Sequence, residues 1–197
     1  YYHLPFTKYL TEQKVIFGMS ILGHGYKLLS SLFFLNSSFY LPYIEYFSFH
    51  FSALFFLIFF NFFLLKEIFN KGTHIVIKYL YLFSFIFFNL SFNRLSEFGT
   101  YKAGQLLIVI LIIKIFQQIC YTNDKSHLKK LLILLPLLGF CISLKTYFLP
   151  YILIGFAVIL LGPKLVQSTK ILFNSKFFYF FLIFLFFYFS HHFISTG

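Results

Sequence analysis

Long apolar runs separated by short polar gaps constrain this chain more than any other feature of its sequence. The run at 47–65 reads FSFHFSALFFLIFFNFFLL, and 60% of the 197 residues are hydrophobic while only 11% are charged. An ordinary soluble domain is about half apolar and about a quarter charged, so one water-soluble core could not hide this much apolar surface. The runs are continuous and do not alternate as barrel strands do. The sequence therefore predicts an all-α, polytopic transmembrane helical bundle.

Six of these runs have about the length that crosses a bilayer core, roughly 20 residues. We predict spans at approximately 47–65, 76–92, 104–121, 128–144, 146–162 and 177–194. Residues 1–45 contain no clean span, and we expect short helices at 13–22 and 28–40 that lie along the outer membrane surface. Both ends look cut, so we interpret 1–197 as a single membrane domain and an internal fragment of a longer protein.

The lysines indicate which side of the membrane each gap faces. The net charge is +11, but the lysines lie mostly between apolar runs, which is typical of cytoplasmic loops and does not indicate a nucleic-acid-binding protein. If 128–162 forms a hairpin with Lys145 at its tip, one side receives eight lysines: Lys66, Lys71, Lys125, Lys129, Lys130, Lys164, Lys170 and Lys176. The opposite gaps hold only Arg94, Lys102 and Lys145. The positive-inside rule predicts a multi-pass protein of a bacterial inner membrane, with the eight lysines in the cytoplasm.

The gap at 93–105 concentrates polar residues on the predicted outer face. It holds the only arginine, Arg94, together with Glu97, Lys102 and Gln105. Arg and Lys suit phosphate or carboxylate ligands, and a carboxylate such as Glu97 can act as a general base. The alternative is a polar loop with an internal ion pair between Arg94 and Glu97.

Other polar residues of the outer face are weaker candidates. Lys145 is either an anion ligand or a lysine whose stem reaches the interface, and Glu12 is a second candidate carboxylate. His3 and His24 are candidate bases or ligands, but the histidine spacings do not support a zinc site. No Gly-rich phosphate loop, serine elbow or CxxC motif is present. We predict no cofactor, because no motif supports a divalent metal, and we expect Lys114 to reach the cytoplasmic interface.

Short motifs follow one another along the whole chain: YHLP at 2–5, HGY at 24–26, SSLFFLNS at 30–37, FYLP at 39–42, RLSEFGT at 94–100, ISLK at 142–145 and STG at 195–197. In this order they resemble a family of uncharacterised bacterial polytopic membrane proteins. More distantly, the layout resembles GT-C glycosyltransferases, which are multi-spanning enzymes that use polyprenyl-phosphate-linked sugars at the outer face. Tyr101-Lys102-Ala103 departs from the pattern of the uncharacterised family, in which an acid is more usual.

The resemblance implies a glycosyltransferase of envelope polysaccharide or glycolipid assembly whose partners are the bilayer and a polyprenyl-phosphate sugar donor. The catalytic candidates are Glu97, Glu12 and His3, and the candidate ligands of the donor are Arg94, Lys102, Lys145, His24 and Gln105. The alternatives are a transporter, flippase or polymerase of lipid-linked saccharides, and a non-catalytic scaffold. The sequence has no internal repeat, and no Asp or Glu lies deep in a predicted span, which argues against a transporter.

Overall fold

The computed structural model describes residues 3–22, 30–91, 100–121, 127–151 and 172–196. These residues form helices and no strands, which confirms the all-α prediction for this part of the chain. Short 3₁₀ helices lie at Met19–Leu22, Tyr46–His50 and Thr146–Phe148. The α-helices are α1 (His3–Glu12), α2 (Ser31–Ser38), α3 (Phe51–Phe69), α4 (Ile75–Ser91), α5 (Thr100–Tyr121), α6 (His127–Leu132), α7 (Leu135–Leu144) and α8 (Lys176–Thr196).

Helices α3 and α4 form an antiparallel hairpin. Each is an almost unbroken apolar run, and α3 ends at Asn70, whose backbone is extended. Within the apolar contact, the Asn61 and Asn89 amides donate hydrogen bonds to each other, at 2.9 and 2.8 Å. Such side-chain amides join helices where lipid supplies no hydrophobic drive between them.

Helix α5 lies against this hairpin and runs parallel to α3. Leu107, near the start of α5, lines a cavity with Phe56 of α3, and Lys114, further along α5, contacts Glu67 near the end of α3. Residues of α3, α4 and α5 form one buried cluster: Phe60, Leu64, Ile77, Tyr81, Leu106, Ile110 and Ile113. A second cluster joins α5 to α6, α7 and α8.

Helices α7 and α8 run parallel to each other and antiparallel to α5. A Cβ added to Gly104, near the start of α5, would overlap the Phe148 ring just beyond the end of α7, so the two helices run in opposite directions. Gly139 of α7 packs against Phe181 of α8, and Ser143, one turn further along α7, shares a cavity with residues further along α8.

These directions give the bundle two ends. We call the end that carries the α3–α4 turn and the start of α8 the lysine end, and the end that carries Ser91, Lys102 and Lys145 the tip end. Helices α1 and α2 pack on each other at the tip end, where the Phe6 and Phe33 rings meet edge to face at 5.2 Å. The Ser30 hydroxyl, which caps the N-terminus of α2, also donates a hydrogen bond to the Leu144 carbonyl.

Two described helices are long and apolar enough to cross a membrane, Tyr46–Phe69 and Lys176–Ile194. In the most apolar 18-residue stretch of each helix, only 33% and 17% of the residues are buried. The core helix of a soluble protein is mostly buried. Two further apolar helices, Ile75–Ser91 and Lys130–Leu144, are shorter. The described residues therefore contain two helices that could cross a membrane by length and composition, where the sequence predicted about six spans. The predicted span at 146–162 lies mostly outside these residues.

The predicted span at 128–144 is not one regular helix. The backbone turns at Ile133–Leu134, between α6 and α7. Pro136 explains the break, because it has no N–H to donate to the Leu132 carbonyl and its ring crowds that carbonyl. Pro136 instead occupies the first turn of α7, where its missing donor costs little.

Of the two short helices predicted in residues 1–45, the structure has one and lacks the other. The helix expected at 13–22 is wrong, because only the 3₁₀ helix Met19–Leu22 forms there, and the sequence analysis missed α1. The helix expected at 28–40 appears as α2, and Leu32 and Phe33 on α2 are buried. Helix α2 thus contributes to the packing of the tip end.

Candidate functional site

Three of the predicted ligand residues lie at the tip end. Lys102 Nζ donates a hydrogen bond to the Ser91 carbonyl at 3.3 Å, so Lys102 satisfies one of the last carbonyls of α4. Gln105 is half-buried in the first turns of α5. Lys145 ends α7, and its backbone N–H donates to the Cys141 carbonyl at 3.2 Å. The Gly104–Phe148 contact keeps the start of α5 beside the end of α7.

The candidates of the N-terminal region are less closely engaged. His3 begins α1, and Glu12 ends it with an exposed ion pair to Lys8 at 4.0 Å. Lys8 Nζ also lies 5.4 Å from the centre of the Tyr46 ring. A hydrogen bond to the Tyr46 hydroxyl raises the pKa of Lys8, and Glu12 adds to that shift. Glu12 therefore acts as a surface partner of Lys8 on α1.

The remaining candidates, His24, Arg94 and Glu97, lie outside the described residues. Among the described residues, no group of three or more His, Cys, Asp or Glu side chains could hold a metal ion. Cys120 is exposed, Cys141 is buried, and both are free thiols.

A cavity of about 330 Å³ lies between α2, α7 and α8 at the tip end. Its walls are mostly aromatic, and its polar groups come from three serines, a tyrosine and a histidine: Ser30, Ser31, Ser143, Tyr188 and His191. The Ser143 hydroxyl donates to the Phe140 carbonyl at 2.7 Å, and the Ser30 hydroxyl donates to the Leu144 carbonyl, directly before Lys145. The cavity therefore combines an apolar body with a polar side close to Lys145.

His191 is the least satisfied polar group of this cavity. Its ring meets the edge of Phe34, with the two ring centres 4.5 Å apart. Its Nε2 atom is buried and has no hydrogen-bond partner among the described residues. Buried polar atoms are normally paired, so a ligand group that bonds to Nε2 would remove a penalty. His191 could not be found from the sequence, because no spacing signal connects it to the serines of α2 and α7.

A second cavity, of about 370 Å³, lies between α2, α3, α5 and α7. Its lining is almost entirely apolar, and Phe140 separates it from the cavity beside His191. The one hydroxyl in its wall, on Ser52, already donates to the Asn36 side chain. This second cavity suits a hydrocarbon chain better than a polar molecule.

A partly buried ion pair lies towards the lysine end. Lys114 Nζ is 2.9 Å from Glu67 Oε1, and the two side chains are 21% and 11% exposed. The Thr73 hydroxyl donates to Glu67 Oε2 at 3.3 Å, and Lys114 Nζ lies 5.4 Å and 6.0 Å from the centres of the Phe63 and Tyr81 rings. Lys114 therefore reaches towards the lysine end, where its ammonium pairs with a carboxylate near the end of α3. Its predicted position at the cytoplasmic interface stays a prediction.

No family model, curated protein or solved structure matches the chain. The arrangement of its own residues is therefore the basis on which its function has to be argued.

Proposed function

We propose that this chain is a multi-spanning membrane protein that binds a lipid-linked sugar at the tip end and transfers the sugar, in the manner of GT-C glycosyltransferases. The observation that carries the proposal is the cavity beside His191, which offers aromatic walls and an unpartnered nitrogen. Its wall residue Ser30 is bonded to the Leu144 carbonyl, directly before Lys145. A polyprenyl phosphate has the matching character, since it joins a long apolar chain to one charged group.

The helix directions support a multi-spanning layout. Because α7 and α8 run parallel, the end of α7 and the start of α8 lie at opposite ends of the bundle. This arrangement supports the hairpin predicted at 128–162, whose second half lies mostly outside the described residues. The placement of Lys66, Lys71 and Lys176 at the other end supports a cytoplasmic lysine end.

In the proposed reaction, an acceptor hydroxyl attacks the anomeric carbon of the donor sugar. The bond from that carbon to the phosphate oxygen breaks, polyprenyl phosphate leaves, and the acceptor proton passes to a base. Lys145 and Arg94 would stabilise the departing phosphate as cations, and Glu97 would be the base. His191 would hold the phosphate end of the lipid, while the aromatic walls take its first isoprene units.

A transporter of lipid-linked saccharides is the second candidate, and the Glu67–Lys114 ion pair favours it. Ionisable side chains inside a membrane bundle are expensive and often mark a transport path. In the sequence no acid lies deep in a predicted span, and in the structure Glu67, near the end of α3, is mostly buried.

The proposal is tested with a matched pair of variants in the full chain, reconstituted into vesicles with a photoactivatable polyprenyl-phosphate sugar. His191→Phe fills the cavity, and His192→Phe makes the same change one residue away, at a position that does not line the cavity. We expect photocrosslinking to α7 and α8 to fall to background for His191→Phe and to persist for His192→Phe. Equal crosslinking in both variants and the parent protein would contradict the assigned site.

The same vesicles separate transfer from transport. A transferase releases polyprenyl phosphate when an acceptor glycan is added, and Glu97→Gln should abolish that release. Movement of intact lipid-linked sugar across the vesicle without any cleavage would instead support the transporter. Monodisperse elution of each variant in detergent serves as the control for folding.

A further inference from the structure

The turn between α3 and α4 presents a cationic and aromatic surface at the lysine end. Lys66 and Lys71 are exposed, and Lys78, in the first turn of α4, is partly exposed. Two large side chains stand among them, with Phe69 78% and Tyr79 64% exposed. We call these five residues the turn surface.

The backbone of this turn is held in one conformation by its own polar groups. The Gly72 N–H donates to Asn70 Oδ1 at 3.0 Å, and the Val76 N–H donates to His74 Nδ1 at 3.3 Å. The Thr73 hydroxyl ties the turn to Glu67 on α3. The lysines therefore project from a preformed turn, so little ordering entropy opposes the binding of a ligand.

Within the part of the chain that the structure describes, no carboxylate offsets the charge of the turn surface. Glu67 is the only acid in the sequence between Glu45 and Glu97. Its carboxylate is turned inward, where Lys114 and Thr73 occupy both of its oxygens. Among the described residues, no ion pair engages Lys66, Lys71 or Lys78. The inward ion pair thus leaves the outer side of the turn cationic.

We propose that the turn surface binds the headgroups of anionic phospholipids in the membrane leaflet at the lysine end. A lysine ammonium is a point charge on a flexible stem, which suits phosphates of varied geometry, and aromatic side chains favour the headgroup region. Each lysine near a charged leaflet contributes roughly fivefold in affinity. Because the turn surface carries no arginine fork, binding depends on headgroup charge and not on headgroup identity. This inference requires membrane insertion but not glycosyl transfer.

The chain contains no tryptophan, so one introduced Trp reports on its surroundings without background. We would reconstitute the full chain with Tyr79→Trp into vesicles that contain brominated phosphatidylglycerol or, in a parallel set, brominated phosphatidylcholine at the same mole fraction. Bromine quenches the fluorescence of Trp only in contact. We expect stronger quenching by phosphatidylglycerol, and equal quenching by brominated phosphatidylserine and phosphatidylglycerol. Tyr147→Trp, at the tip end, is the matched control and should show no preference.

The lysines are tested by Lys66→Gln, Lys71→Gln and Lys78→Gln together in the Tyr79→Trp protein. We expect the preference for phosphatidylglycerol to fall roughly 100-fold, the product of three lysines, and high salt to weaken it in the parent protein. If the triple variant does not fold, a salt titration of the Tyr79→Trp protein still shows whether its preference for phosphatidylglycerol is electrostatic. Equal quenching of Tyr79→Trp by the two lipids, or a preference that survives salt, would overturn the proposal.

Discussion

At the scale of single residues, Glu67 and Lys114 form an ion pair whose members depend on each other. Each side chain is mostly buried, and their closest atoms are 2.9 Å apart. Removing one partner leaves the other charge without compensation, which costs about 3–5 kcal/mol when the pair is buried. We predict that Lys114→Met lowers the free energy of unfolding in detergent by about 3 kcal/mol, measured by denaturant or thermal unfolding.

The double variant Glu67→Leu/Lys114→Met is the control for this prediction. It removes both charges, so its stability should return close to that of the parent, because buried pairs and apolar replacements of similar volume are often nearly equivalent. Lys78→Met, a partly exposed lysine near the same end, should change stability little. A double variant less stable than Lys114→Met alone would show that the pair does not act as a unit.

The residue-level contacts were the least accessible to prediction. Lys114 lies in an apolar run, and nothing in the sequence indicates that Lys114 on α5 contacts Glu67 on α3. Lys102 stays a predicted ligand, and its hydrogen bond to Ser91 depends on where α4 ends, which the sequence does not indicate. The buried nitrogen of His191 could be recognised only from the structure, because its burial depends on how α2 and α7 pack around it. Contacts between distant segments follow from packing geometry, which composition does not encode.

At the scale of helices, the reciprocal amide pair of Asn61 and Asn89 fixes how α3 and α4 meet. Asn89 also donates to the Phe85 carbonyl at 2.7 Å, so the pair is anchored to α4. We predict that Asn61→Leu destabilises the protein by about 1–2 kcal/mol, because the Asn89 amide loses its partner in an apolar contact. The measurement is the midpoint of thermal unfolding in detergent micelles.

A double-mutant cycle with Asn89→Leu tests whether the two amides act together. We expect Asn61→Leu/Asn89→Leu to be more stable than the sum of the single changes predicts, since it leaves no amide unpaired. Strictly additive effects would mean that each Asn contributes separately and that the reciprocal pair does not hold the hairpin.

The helices themselves were predictable in proportion to the length of their apolar runs. Helices α3, α4, α5 and α8 begin and end close to the predicted bounds, because continuous Phe, Leu and Ile leave few alternatives. Helix α1 was missed because its ten residues are mixed in polarity, and its stability depends on packing against α2. The division of 128–144 into α6 and α7 was visible in principle, since Pro136 marks it.

At the scale of the whole molecule, chemistry is divided between the two ends. The tip end combines Lys102, Gln105 and Lys145 with the cavity beside His191. The lysine end has the turn surface and the ion pair beneath it. This division follows from the directions of the described helices. Which end faces outward is a property of the protein in its membrane, and a labelling experiment decides it.

We predict that the tip end faces outward and the lysine end faces the cytoplasm. In a background with Cys120→Ser and Cys141→Ala, a membrane-impermeant maleimide applied to intact cells should label Tyr147→Cys, since Tyr147 is exposed at the tip end. Lys71→Cys, exposed in the α3–α4 turn, should react only after the membrane is permeabilised. Tyr43→Cys, in the exposed turn before α3, should behave like Tyr147→Cys.

Labelling of Lys71→Cys in intact cells would reverse the orientation, and labelling of both ends from one side would exclude a bundle that crosses the membrane. The positive-inside rule makes the predicted orientation the expected outcome, because eight lysines fall in the gaps that the sequence predicts to face the cytoplasm.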